Sequence, residues 1–133
     1  MPTASPGPHP TEGELSILRV LWAHKDPMTV RDVHAVLSRD KETAYTTVLK
    51  MLTIMADKGL VDRDASERTH TYRAVHDEPV VQATMLKDLV RRAFAGSATA
   101  LMQRALDDDA TSPEELDAIA ELIAAAKKKR AKG

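Results

Sequence analysis

Up to Lys58-Gly59 the apolar residues of this chain recur at helical spacing, and immediately afterwards they alternate. That switch of period confines the first half of the molecule to short helices followed by paired strands. Thr11, with Glu14 three residues on, forms a capping-box signature, and Leu15, Leu18, Leu21 and Trp22 make one stripe behind it. His24 to Pro27 ends that helix. Thr29 and Asp32 open a second, short helix whose Val30, Val33, Val36 and Leu37 face inward, and "SRDKET" closes it. A third helix occupies "AYTTVLKMLTIMADKGL", Ala44 to Leu60: Val48, Leu52 and Met55 are its core stripe, flanked by Leu49, Met51 and Ala56, and Gly59 is its natural stop. In "LVDRDASERTHTYRAV" a polar turn at Ala65-Ser66-Glu67 precedes an alternating run. Thr69, Thr71, Arg73 and Val75 fall on one face, and His70, Tyr72 and Ala74 on the other, as in an antiparallel hairpin. Three helices and a hairpin in this order predict a winged helix-turn-helix over residues 11–76, a unit of roughly 65 residues able to bury one small core.

Residues 77–126 read differently. "DEPVVQATMLKDLVRRAF" gives stripes at Val81, Met85 and Leu89 and at Leu86, Val90 and Phe94, with acids at its start and Arg91 and Arg92 near its end, as the helix dipole favours. Gly96-Ser97 breaks it, "SATALMQRAL" makes a short helix, and Asp107 to Ala110 is a solvated turn without the glycine and distal glutamate of a calcium loop. Ser112, Pro113 and Glu115 then start a final helix with Leu116, Ile119, Ala120 and Ile123 on one face. Three helices trailing a complete small domain need another partner for their apolar faces, most simply the same arm of a second subunit. The fold class is thus mainly α, a winged helix-turn-helix followed by a helical dimerisation arm. The basic run at residues 127–133 reads as a disordered, solvated tail, with non-specific phosphate contact as its alternative.

Composition excludes several function classes. With 43% hydrophobic but 3% aromatic residues the core must be largely aliphatic, and the absence of cysteine removes disulfides, thiolate metal sites and a catalytic cysteine. No apolar run approaches the roughly 18 residues that span a bilayer. "MPTASPGPHP", with four prolines and one glycine, reads as a disordered leader over residues 1–10 and carries no secretory signal. A cytoplasmic protein without membrane insertion is expected. Phosphate loops, HExxH and nucleophile elbows are missing, and none of the five histidines has another at i+3 or i+4. Neither catalysis, a cofactor nor a metal is therefore expected. The net charge of −1 describes no polycation, yet only the face that meets phosphate must be positive.

The start of the third helix is where such a face arises. In a helix-turn-helix this part enters the major groove of double-stranded DNA. Here it carries Ala44, Tyr45, Thr46, Thr47 and Lys50: hydroxyls for phosphates or base edges, methyls for thymine, and a cation one turn on. The bland alternative is that Thr43 caps the helix and Tyr45 packs on the first helix. Thr43 is read as the cap, whereas Thr46, Thr47 and Lys50 are read as contacts. Of Arg63, Arg68, His70 and Arg73 in the hairpin, Arg68 near the tip is taken as the wing contact, because Asp62, Asp64 and Glu67 dilute the rest. A winged helix that binds a protein rather than DNA is the alternative function.

The segments "TEGELSILRVLW", "MTVRDVHAVL", "AYTTVLKMLTIMADKGLV", "ERTHTYRAV", "AFAGSATALM" and "SPEELDAIAELI" run in order through nearly the whole chain, and with them it resembles the penicillinase and methicillin-resistance repressors, the BlaI/MecI family. The resemblance implies a homodimeric repressor of antibiotic-resistance type, bound to dyad operators with TACA/TGTA-type half-sites. It implies groove contacts from Ala44, Thr46, Thr47 and Lys50, a wing contact from Arg68, and an arm dimerising through Leu86, Leu89, Val90, Phe94, Leu101, Leu116, Ile119 and Ile123. It also implies release when a membrane-bound sensor protease system triggers cleavage in the arm. Three departures matter. Thr53 and Ile54 stand where the family often has arginines. Arg104-Ala105 replaces an Asn-Phe cleavage bond. The cysteine-rich metal site of copper-responsive relatives has no counterpart in a chain without cysteine.

Overall fold

The computed structural model describes residues 9–132. The expected leader lies outside these residues except for His9 and Pro10. Six helices and one two-stranded sheet follow in the order α1 (Glu12–Ala23), α2 (Val30–Leu37), α3 (Tyr45–Lys58), β1 (Val61–Asp64), β2 (Thr71–Ala74), α4 (Glu78–Ala93), α5 (Ala98–Leu106) and α6 (Pro113–Lys132). This is the mainly α winged helix-turn-helix with a helical continuation that the periodicities predict.

Local chemistry explains the boundaries. Thr11 and Glu14 form the reciprocal capping box at the start of α1, and Thr29 and Asp32 form one at the start of α2. Gly59 ends α3 with φ of +81°, which an L side chain rarely adopts; its amide and that of Leu60 return to the carbonyls of Ala56 and Met55. β1 and β2 pair antiparallel with Val61 opposite Ala74 and Arg63 opposite Tyr72. Tyr72 also bridges to Met28 through two backbone bonds of 2.9 and 2.7 Å, which ties the hairpin to the segment between α1 and α2.

The core is Ile17, Leu18 and Leu21 of α1, Val30 and Val33 of α2, Val48, Leu52 and Met55 of α3, with Met28, Leu60, Val61 and Tyr72. It is aliphatic apart from the ring of Tyr72. Trp22, Val36 and Leu37, expected inside, pack at its edge and are half-buried, and Leu15 is half-buried also.

By contact, the described residues divide into two compact units between Asp88 and Leu89, inside α4. The indole of Trp22 donates to the carbonyl of His76 at 2.9 Å, and Val81 is fully buried. The basic run differs from the sequence reading: α6 continues through Lys132, so residues 127–132 are helical rather than a disordered tail. Alanines lead into it, lysine and arginine are good helix formers, and cations at a helix C-terminus are favoured by its dipole.

Candidate nucleic-acid interface

The residues that point outward from α3 follow from those that point in. Val48, Leu52 and Met55 have no exposed surface. At about 100° per residue this puts Thr46, Lys50 and Thr53 on the opposite side, with Thr47 and Ile54 beside them. Ala44, Tyr45, Thr46, Thr47 and Lys50 are all exposed. Thr53 is exposed as well, but its hydroxyl donates to the Leu49 carbonyl at 2.8 Å, so that donor is used within the helix. Asp57 stands on the same side near the C-terminus of α3 and makes that end unfavourable for phosphate. The face available to an anion is therefore the N-terminal half.

The N-terminus of α3 is built unlike those of α1 and α2. Ala44 occupies the N-cap and makes no side-chain cap bond, and the first turn has no acid. Thr43, expected as the cap, sits one residue too early; its hydroxyl donates to the Lys41 carbonyl at 2.9 Å instead. The Tyr45 ring meets His34 of α2 edge-on, with centroids 5.7 Å apart and planes at 72°. The same imidazole bonds through Nε2 to the Thr43 carbonyl at 2.7 Å. A carbonyl only accepts, so Nε2 carries the proton. His34, which the sequence reading passed over, thus holds both the residue before the N-cap and the first residue of the helix.

Arg68 lies in the loop between β1 and β2 and is exposed. Together with Tyr45 it lines an open groove of about 580 Å³ between the wing tip, α3 and the start of α2. Arg31, Leu49 and His70 are also part of its walls, and no carboxylate is among the lining residues. Arg31 was missed by sequence reasoning; its outward direction could have been read from Val30 and Val33, which take the inward positions on either side. The outer face of the hairpin is different. Asp62 pairs with Arg73 at 4.0 Å across the strands, and Asp64 accepts the Ser66 amide at 2.9 Å. The hydrogen bonds from Ser66 hold the Asp64 carboxyl below its ordinary value, so the charge that opposes Arg63 and Arg73 is retained. Among the described residues neither Lys50 nor Arg68 is engaged in an ion pair.

One charged contact fixes the far end of α3. The Glu14 carboxylate is buried in the first turn of α1 and accepts from the Thr11 amide at 2.9 Å and from Lys58 Nζ at 2.7 Å. Burial pushes its carboxyl up, but the bonds from Lys58 and Thr11 outweigh that and hold it below its ordinary value. Lys58 is thereby spent on structure, which leaves Lys50 as the cation α3 offers to a ligand.

In the second unit the apolar side chains of the arm are not covered. Leu89, Leu116 and Ile123 are exposed, as is Leu86 of α4, while Val90, Phe94, Leu101 and Ile119 are half-buried. No residue of α5 or α6 is buried. Leu106 and Leu122, the latter 70% exposed, join this surface although the sequence reading left them out. Arg104 lies inside α5 and pairs with Asp107 at 3.5 Å.

Three packed helices, a two-stranded wing, and a third helix whose polar N-terminal half is turned to solvent define a winged helix-turn-helix protein. The sequence comparison narrows this further: the penicillinase repressor family matches residues 10–125, and the chain belongs to that family. Two curated relatives, each called transcriptional regulator BlaI, come from two strains of Mycobacterium tuberculosis. Each is 36% identical to this chain over 80 residues, which is 60% of this chain and 58% of the relative. The match thus spans little more than half the length of those relatives.

Proposed function

We propose that this protein is a cytoplasmic, dimeric transcriptional repressor that binds dyad operators of double-stranded DNA. The N-terminal half of α3 reads base edges in the major groove through Ala44, Thr46, Thr47 and Lys50, and Arg68 and Tyr45 hold the backbone from either side of the groove beside the wing. The observation that carries this reading is the orientation of α3: a fully buried aliphatic stripe on one side, exposed hydroxyls and a free cation on the other. Family membership supports the repressor role. Dimerisation through Leu86, Leu89, Val90, Phe94, Leu101, Leu116, Ile119 and Ile123 is supported by the apolar surface these helices leave open. Two linked half-site contacts multiply affinity, so anything that breaks the arm releases the operator. Half-sites of the TACA/TGTA type and a membrane-bound sensor protease system as the releasing partner rest on the family resemblance.

A second reading has one observation in its favour. Leu49 and Ile54, both on α3, are 42% exposed, which suits a protein partner better than a phosphate backbone. Anisotropy binding of the purified chain to its own upstream region and to a scrambled duplex, at two salt concentrations, separates the two. Selective binding that falls steeply with salt supports the operator reading, because counterion release requires phosphate contacts. Absence of binding to either duplex refutes it and leaves the protein partner.

A further inference from the structure

We propose that the end of α6, residues 127–132, is a second DNA contact, a sequence-independent phosphate clamp. The proposal rests on the DNA-binding reading above. The family match covers residues 10–125 and so does not include this segment. Lys127, Lys128, Lys129, Arg130 and Lys132 put five cations in six consecutive positions. Nineteen basic and twenty acidic residues leave the whole chain at −1; without these five cations the remainder would stand at −6. A quarter of the chain's basic residues are therefore concentrated in one turn and a half of helix, roughly 9 Å long.

Three features mark this segment as built for a polyanion. First, it is helical: α6 is continuous to Lys132, so its charges are spaced along a helix. Second, the cations are unspent. All five are exposed, none is in an ion pair among the described residues, and the nearest preceding acid, Glu121, is six positions before Lys127 and out of reach of i,i+4 pairing. Third, the charges surround the helix. Steps of about 100° distribute the five over its whole circumference, with Ala131 as the one apolar residue. A helix that lies on a bilayer needs an apolar face to bury, and this segment has none. Phosphates along a duplex, with one charge per about 1.7 Å of axis, match a short, densely charged rod.

About 9 Å of helix can neutralise two or three phosphates, and each contributes about 0.9 to the slope of log affinity against log salt. The test compares the full chain with a variant combining Lys127→Gln, Lys128→Gln, Lys129→Gln, Arg130→Gln and Lys132→Gln, which keeps helix-forming side chains. A charge-preserving control exchanges each of these lysines for arginine and Arg130 for lysine. Anisotropy titrations over a fourfold range of salt, on the upstream duplex and on a scrambled one, read the slope. The glutamine variant is expected to flatten it by about 1.8 to 2.7 on both duplexes for each α6 end in contact, so that the fourfold rise in salt costs it about 10- to 40-fold less affinity per contacting end than it costs the wild type. The ratio of specific to scrambled affinity stays unchanged, and the control keeps the wild-type slope. An unchanged slope in the glutamine variant overturns the clamp while a selective, salt-sensitive wild type still upholds the operator reading. A wild type that binds no duplex removes both. Flotation with phosphatidylserine vesicles that depends on these cations, alongside an unchanged DNA slope, assigns the segment to an anionic bilayer and also overturns the clamp.

Discussion

Lys58→Met keeps the aliphatic stem of the last residue of α3 and removes the ammonium that sits 2.7 Å from Glu14 Oε1. The Glu14 carboxylate, on a residue only 5% exposed, would keep the Thr11 amide but lose its one cationic partner. A hydrogen bond to a charged group contributes about 1.5–3 kcal/mol. Lys58 is 40% exposed, so water takes over part of that role, and the expected cost is about 1–2 kcal/mol, or roughly 5–10 °C in melting temperature for a domain of this size. The pH dependence follows from the direction of the Glu14 shift. Its folded-state pKa is depressed, so the stabilisation is fully present above the ordinary value of 4.5 and is lost as the pH falls through the lowered folded value. Urea midpoints of the wild type and Lys58→Met should therefore differ fully at pH 7 and converge below pH 4.5. Equal midpoints at pH 7, or a gap of constant size down to the lowest pH at which both fold, would refute the pairing as a source of stability.

Gly59→Ala should cost about 1–2 kcal/mol by chemical denaturation, since the left-handed backbone alone is penalised, and an added Cβ would meet nothing within 4 Å. His34→Ala should weaken duplex binding roughly fivefold, about 1 kcal/mol of lost positioning, while His34→Gln, which can still donate to the Thr43 carbonyl, recovers most of it. Equal losses in both variants would mean that the ring contact with Tyr45, rather than the hydrogen bond, sets the helix start. Leu89→Asp should give a monomer in sedimentation velocity, and a stable dimer would show that the arm pairs through another surface.

The elements that packing and capping dictate were legible in the sequence. Both capping boxes, the stripe of Val48, Leu52 and Met55, and the glycine stop at Gly59 each follow from spacing and side-chain chemistry within one helix. What spacing could not supply was anything set between elements. The tie from His34 to Thr43 and Tyr45 joins α2 to α3 across a loop, and Arg31 meets Arg68 in one groove only because the hairpin folds back beside α2. The bond from the Trp22 indole to the His76 carbonyl is of the same kind, since the two residues are 54 positions apart. The basic run is a different case: a charged end commonly frays, but the alanines at 124–126 carry α6 on through Lys132.

The central claim is that the exposed N-terminal half of α3 reads DNA. It is tested most directly by combining Thr46→Ala, Thr47→Ala and Lys50→Ala and measuring the ratio of affinities for the upstream and scrambled duplexes beside the melting temperature. All three positions are exposed, so the fold should be unaffected. The account predicts an unchanged melting temperature and a ratio that collapses towards one. A variant that folds normally and keeps the wild-type ratio would show that specificity resides elsewhere on the molecule.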